Sequence, residues 1–270
     1  MRRVEHVMGF PVSLRIDDPY VPDGVADALF AWLREVDDRF SPFRADSEVS
    51  RLDRGELSAD AVSPDLAEVL GLCEEYRVAT RGAFDVRLPG RGLDPCAVVK
   101  GWSVQRAARL LRVAGLGRFC LNAGGDVVTA GGPWRVGVRH PELADRLCTV
   151  LEVTDGAVAT SARYERGDHI VDGRTGLPAT GLLSMTVVAP TLTEADAVAT
   201  AAFAMGEEGV EWAAARAGCE VYAVDARRRV LRTPGLPVAA TPQEADDGSG
   251  AGRSGSSPGA AGRNAVTNPV

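Results

Sequence analysis

The sequence predicts an α+β fold, a single domain of mixed helices and antiparallel sheets over residues 1–238, and three observations lead to it. Helix-period and strand-length apolar runs are interleaved along the chain. No strand–helix–strand repeat opens on a Gly-rich first turn, which sets aside a doubly wound dinucleotide fold. No internal repeat of roughly 20–50 residues occurs, which sets aside solenoids and propellers.

The elements follow in order. Residues 3–16 read as extended segments about a turn at Gly9-Phe10-Pro11. Val25, Leu29, Trp32, Leu33 and Val36 recur at helical spacing and predict a helix over 22–39. Ser63-Pro64 opens a second helix over 64–79, with proline in the first turn, where a missing N–H costs nothing. A third, over 102–114, closes at Gly115. Short β-rich runs follow at 118–121, 126–129, 134–138 and 147–153, then at 169–171 and 183–189. Helices over 194–205 and 207–217 and a strand pair near 219–231 complete the domain. From 239 to 270 the chain turns to Gly, Ser, Pro and Ala with no aromatic residue. Such a segment cannot bury enough apolar surface to offset the entropy of ordering, and a disordered tail is expected.

Composition narrows the function classes. Of 270 residues, 45% are hydrophobic and 25% charged, the mix of a globular protein with a full core. The net charge of -7 argues against nucleic acid or an anionic membrane as partner. No apolar run approaches the ~18 residues of a membrane span, so no membrane insertion is expected. Arg2, Arg3, Glu5, His6 and Arg15 break up the N-terminal stretch that a signal peptide would need. Cys73, Cys96, Cys120, Cys148 and Cys219 are odd in number and form no C-x-x-C pair. Reduced thiols and a cytoplasmic location are expected.

Several clusters carry chemical potential. Gly82-Ala83-Phe84-Asp85 follows a helix end. Asp94 and Lys100 bracket a short apolar turn that opens a helix, where unpaired N–H groups favour anions. Of the 30 basic residues Lys100 alone is lysine, which suggests a site that needs a compact ammonium rather than a planar fork. Asn122-Ala123-Gly124-Gly125-Asp126 reads either as a hairpin turn or as a backbone nest around a ligand. Thr160 and Ser161 precede His169, which lies close in sequence to Asp172 and Thr175 and is a candidate base. Asp196 and Thr200, four apart, share a helical face among Ala and Val, a setting suited to a hard cation such as Mg²⁺.

In this order the motifs resemble the ApbE-type FAD:protein FMN transferases. The resemblance runs from Met8-Gly9 through Ser41-Pro42-Phe43-Arg44-Ala45-Asp46-Ser47-Glu48, Gly82 to Asp85, Asp94 to Gly101, Asn122 to Asp126, Thr160-Ser161, His169 to Gly176 and Ala195 to Thr200. It implies cleavage of FAD, attachment of FMN through a phosphoester to a Thr or Ser hydroxyl of an acceptor protein, release of AMP, and a requirement for Mg²⁺. It also implies that Met8, Phe43, Ala83, Phe84, Asp85, Asp94, Lys100 and Ile170 line the FAD site. By the same match Asp196, Thr200 and the carbonyl of Ala97 hold the metal, and His169 is the base. Phe43 or Phe84 offers a face for a flat ring. The sequence departs from the family pattern at Phe43, Ala162 and Gly173, where Tyr, Gly and Pro are usual, and the 161–169 segment is short. A Mg²⁺-dependent FAD pyrophosphatase and a flavin-binding module without turnover are the alternative readings.

Overall fold

The computed structural model describes residues 1–88, 90–163, 167, 169–240 and 265–266. Strands β1 (Arg2–Val7) and β2 (Phe10–Ile16) form a hairpin. Its turn is Met8-Gly9, one residue earlier than expected, with φ of 57° and 81°. A two-residue hairpin loop of this hand needs positive φ at both positions, which glycine meets freely and methionine rarely does. Helices α1 (Val25–Phe40), α2 (Glu48–Asp53) and α3 (Pro64–Ala79) follow. The small hairpin β3 (Arg87–Leu88) and β4 (Gly92–Leu93) leads into α4 (Cys96–Val113). Then come β5 (Phe119–Ala123), β6 (Asp126–Ala130), β7 (Trp134–Arg139), β8 (Leu147–Val153) and β9 (Ala157–Ala162). The hairpin β10 (Val171–Asp172) and β11 (Leu177–Pro178) precedes β12 (Leu182–Ala189), α5 (Leu192–Met205) and α6 (Glu207–Ala214). Strands β13 (Glu220–Asp225) and β14 (Val230–Arg232) close the domain.

Eight strands make one sheet in the order β1-β2-β5-β6-β9-β12-β13-β14, antiparallel at every pairing. The α+β expectation holds. The sheet is a middle layer, and for that reason β5 and β6 are buried at every residue. Phe119, Leu121, Ala123 and Val128 face the helices and join the main core with Leu29, Phe30, Leu33, Val98 and Leu111. Cys120, Val127 and Val158 face the other way, onto Trp134, Val136 and Leu151 of the β7–β8 hairpin. Full burial of one such Leu or Phe contributes about 1.5–3 kcal/mol. Helix α5 is buried along most of its length, and its alanines let it settle closely against α4, β9 and β12.

Three expectations are corrected. The third helix begins at Cys96, not at residue 102, so Lys100 stands in its second turn. Strand β9 and helix α2 were not foreseen: β9 reads Ala-Val-Ala-Thr-Ser-Ala, low in β propensity, and only Val49 and Leu52 of α2 are apolar. The expected strand at 169–171 is reduced to Val171–Asp172. None of the five cysteines is in a disulfide. No helix among the described residues is long and apolar enough to cross a membrane. Of the tail expected to be disordered, residues 241–264 and 267–270 lie outside the described residues, and β15 (Ala265–Val266) pairs parallel with β7.

Candidate active site

A cavity of about 890 Å³ opens where the β1–β2 turn, the end of α1, the β3–β4 hairpin, the start of α4, the β5–β6 turn and one face of α5 converge. Met8, Phe43, Phe84, Asp85, Asp94, Ala97, Lys100, His169, Ile170, Asp196 and Thr200 all line it, although they span most of the folded chain. Ala83 does not. It is fully buried, and its carbonyl accepts from Gly173 N at 2.9 Å. That bond also accounts for Gly173. A proline there would remove the donated N–H, and any Cβ would meet Gly82 O at 2.4 Å.

The floor of the cavity is electrostatic. Helices α4 and α5 touch at Gly101, where an added Cβ would lie 2.5 Å from Leu192 O and 2.7 Å from Asp196 Cβ. This contact lets Gly101 N donate to Asp196 Oδ2 at 2.8 Å. In an uninterrupted α-helix that N–H serves the carbonyl four residues earlier, which is Ala97. The carboxylate of Asp196 therefore competes for the donor of Ala97 O, and both residues line the same cavity. Lys100 Nζ stands 3.3 Å from Asp196 Oδ1 and 2.5 Å from Asp126 Oδ2. The other Asp126 oxygen accepts from Thr160 N at 3.0 Å, whereas Oδ2 has the ammonium's ionic contact and no directed hydrogen bond. Thr200 Oγ1 shares a 3.0 Å hydrogen bond with Ser161 Oγ.

Two carboxylates, 1% and 2% exposed, thus face one ammonium. Burial, with Asp126 adding to it, pushes Asp196 above the usual carboxylate range, against the pull of Lys100. The excess buried negative charge, one aliphatic hydroxyl and a backbone carbonyl suit a hard divalent cation that takes few protein ligands and leaves positions for phosphate and water. No cluster of three or more His, Cys, Asp or Glu side chains able to hold a metal occurs among the described residues. A thiolate- or imidazole-rich zinc type of site is not what this donor set resembles.

The rim carries an exposed aromatic ring and an exposed imidazole. Phe43 is 83% exposed on the loop after α1, which Arg39 braces by reaching Glu48 and Asp65. Phe84 is 3% exposed and packs on Tyr76 at 6.0 Å between centroids, so Phe43 is the ring available for stacking. The Met8 turn is held from behind by Ser103 Oγ, 3.7 Å from Met8 Sδ. His169 is exposed, and its Nδ1 lies 3.1 Å from Gly167 O. A carbonyl only accepts, so this bond fits a ring that carries a proton on Nδ1; in the neutral form the lone pair is then on Nε2. Asp172, expected beside His169, instead grips Arg174 with both oxygens at 2.9 Å, and Thr175 Oγ1 bonds to Asp172 O.

Asp126 is the residue that sequence reasoning left in a turn motif without a role. Its signal was a carboxylate opening an otherwise apolar strand, a position that demands a buried partner. The pocket between Asp126 and Asp196 also explains the lone lysine. With FAD as the ligand that the resemblance implies, Lys100→Arg is expected to lower affinity or turnover at least about tenfold, since a planar fork cannot replace a compact ammonium between two buried carboxylates. Arg109→Lys, exposed on the same helix, is the comparison and should leave both unchanged. Equal kinetics for the two variants would remove the steric argument.

Comparison with known proteins adds an independent line. The ApbE family model matches residues 8–89 and 86–223. The FAD:protein FMN transferase of Escherichia coli K12 is 30% identical over 152 residues, covering 51% of this chain and 43% of that protein. The chain therefore aligns with less than half of that relative's length. The Treponema pallidum enzyme of the same name is 32% identical over 177 residues, 54% of this chain and 49% of that protein. The Vibrio cholerae one is 26% identical over 273 residues, 75% and 82%. Among solved structures, the flavin transferase ApbE from Vibrio cholerae superposes with a TM-score of 0.76 at 23% identity, covering 87% of this chain and 97% of that one. The ApbE protein of Thermotoga maritima gives 0.75 at 21% identity, with coverage of 87% and 97%. At such identities the superpositions establish the shared fold, while the family model spans most of the folded chain, and together they show that the chain belongs to the ApbE family.

Proposed function

We propose that this chain is a Mg²⁺-dependent flavin transferase. It binds FAD, joins the FMN phosphorus to a Thr or Ser hydroxyl of an acceptor protein, and releases AMP. The observation that carries the reading is the Asp126–Lys100–Asp196 cluster at the floor of a cavity with an exposed aromatic ring at its mouth. The relatives named above support the choice of substrate.

The balance is simple. The acceptor oxygen forms a new bond to the FMN phosphorus, the pyrophosphate P–O bond breaks, AMP departs with that oxygen, and the hydroxyl proton goes to a base. Asp196, Thr200 and Ala97 O would hold Mg²⁺, which supplies charge neutralisation on the phosphate oxygens. Lys100 adds a positive charge on the same side. Phe43 covers the flat ring from the rim, and Met8 and Ile170 supply apolar contact. Nε2 of His169 takes the proton of the incoming hydroxyl. Asp85 and Asp94 line the same cavity, and each caps a nearby backbone N–H, of Arg87 at 2.8 Å and Cys96 at 3.0 Å. They shape the FAD site through those turns. With its five cysteines outside any disulfide, the protein suits the cytoplasm, where the acceptor would be met.

Incubation with FAD and Mg²⁺, with and without acceptor, tests the reading. AMP should form only with acceptor, which gains the mass of FMN; AMP formed regardless would make the protein a pyrophosphatase. His169→Asn should slow transfer by about 10²-fold, the scale of a lost general base, with FAD affinity retained. Collapse of FAD affinity would assign His169 to binding instead.

A further inference from the structure

We infer that Asp126 is a positioning residue that sets cation affinity by holding Lys100 away from Asp196. The inference rests on the metal reading above and adds a residue that reading does not use. Asp126 opens β6 directly after the Gly124-Gly125 turn and is 1% exposed. Thr160 N fixes one of its oxygens, so the carboxylate cannot swing, and the other is aimed at Lys100. The ammonium is unequally shared: 2.5 Å from Asp126 Oδ2 and 3.3 Å from Asp196 Oδ1. An ammonium and a divalent cation repel, and both are drawn to Asp196. Asp126 offers the ammonium a second, nearer counter-ion, so a cation can take Asp196 while Lys100 keeps a carboxylate beside it. With both carboxylates ionised, as they are when a cation is bound, the three side chains sum to one negative charge, and losing the Asp126 charge would bring the sum to zero.

The test is Mn²⁺ binding to the intact protein, read from the loss of the free-ion electron paramagnetic resonance signal. Asp126→Asn keeps the shape and the Thr160 contact but removes the nearer carboxylate charge from Lys100, drawing the ammonium toward Asp196, and the Mn²⁺ Kd should rise at least about tenfold. Lys100→Met removes the competitor and should tighten Mn²⁺ binding, a change that misfolding cannot produce. The double variant returns the charge to that of the wild type and should recover its Kd. A double variant as weak as Asp126→Asn would make Asp126 a metal ligand and overturn the inference. So would an unchanged Kd in Asp126→Asn while Asp196→Ala loses binding, and then the metal reading itself would stand. If Asp196→Ala binds Mn²⁺ like the wild type, both fall.

Discussion

Replacing Asp196 with alanine is expected to lower flavin transfer by about 10³-fold, equivalent to about 4 kcal/mol of transition-state stabilisation. The side chain does two things that no neighbour can take over. It accepts from Gly101 N, and it is the only carboxylate on the α5 face that carries Thr200. The fold should survive the change, because Lys100 keeps its 2.5 Å contact with Asp126 and is not stranded as a buried charge. Asp196→Asn separates the two roles, since an amide oxygen still accepts from Gly101 but brings no charge. Transfer should fall almost as far as in Asp196→Ala if charge on the cation is what matters. Thr200→Ala, which removes a neutral oxygen, should be milder and should recover with excess Mg²⁺. Near-normal turnover of Asp196→Ala at ordinary Mg²⁺ would end the metal assignment, and a large loss of melting temperature would recast Asp196 as a core residue.

The legibility of this site in the sequence was uneven for physical reasons. Asp196 and Thr200 were readable because a helix places residues four apart on one face whatever surrounds it. Lys100 was readable because of composition, as one ammonium among guanidinium groups. Asp126 was not, because its meaning depends on a pairing across elements: β6 supplies the carboxylate and α4 the ammonium. The surroundings of Asp172 were hidden for a related reason. Asp172 is near His169 in sequence, but a tight turn delivers Arg174 to it first, and Arg174 also reaches Glu208 of α6. The same split runs through the fold. Amphipathic α1 declared itself by period, whereas β9 did not, because a central strand under an alanine-rich helix is selected for small size rather than for branching. Phe84 belonged to a motif, but only packing could show that its ring is spent on Tyr76 while Phe43 stands exposed.

Gly101→Ala is expected to damage both stability and catalysis, with Gly71→Ala moving stability the other way. Both glycines lie inside helices, Gly101 in α4 and Gly71 in α3, so the gain in helix propensity is the same, about 0.5–1 kcal/mol. Their surroundings differ. A Cβ at Gly71 meets nothing within 4 Å, whereas one at Gly101 lies 2.5 Å from Leu192 O and 2.7 Å from Asp196 Cβ. Carbon atoms settle at roughly 3.5–4.0 Å, so α4 and α5 must part. Overpacking of this kind costs about 1–3 kcal/mol and outweighs the propensity gain. For a domain of this size the net loss corresponds to a fall of about 1–8 °C in Tm. The catalytic loss should be larger. Parting the helices lengthens the 2.8 Å bond from Gly101 N to Asp196 and carries the carboxylate away from Ala97 O and Lys100. A shift near 1 Å at a positioned group costs on the order of 10²-fold in rate. Thermal melts of the two alanine variants, with transfer rates measured beside them, decide the matter. A Gly101→Ala protein as stable and as active as Gly71→Ala would show that the close approach of α4 and α5 is incidental to the site.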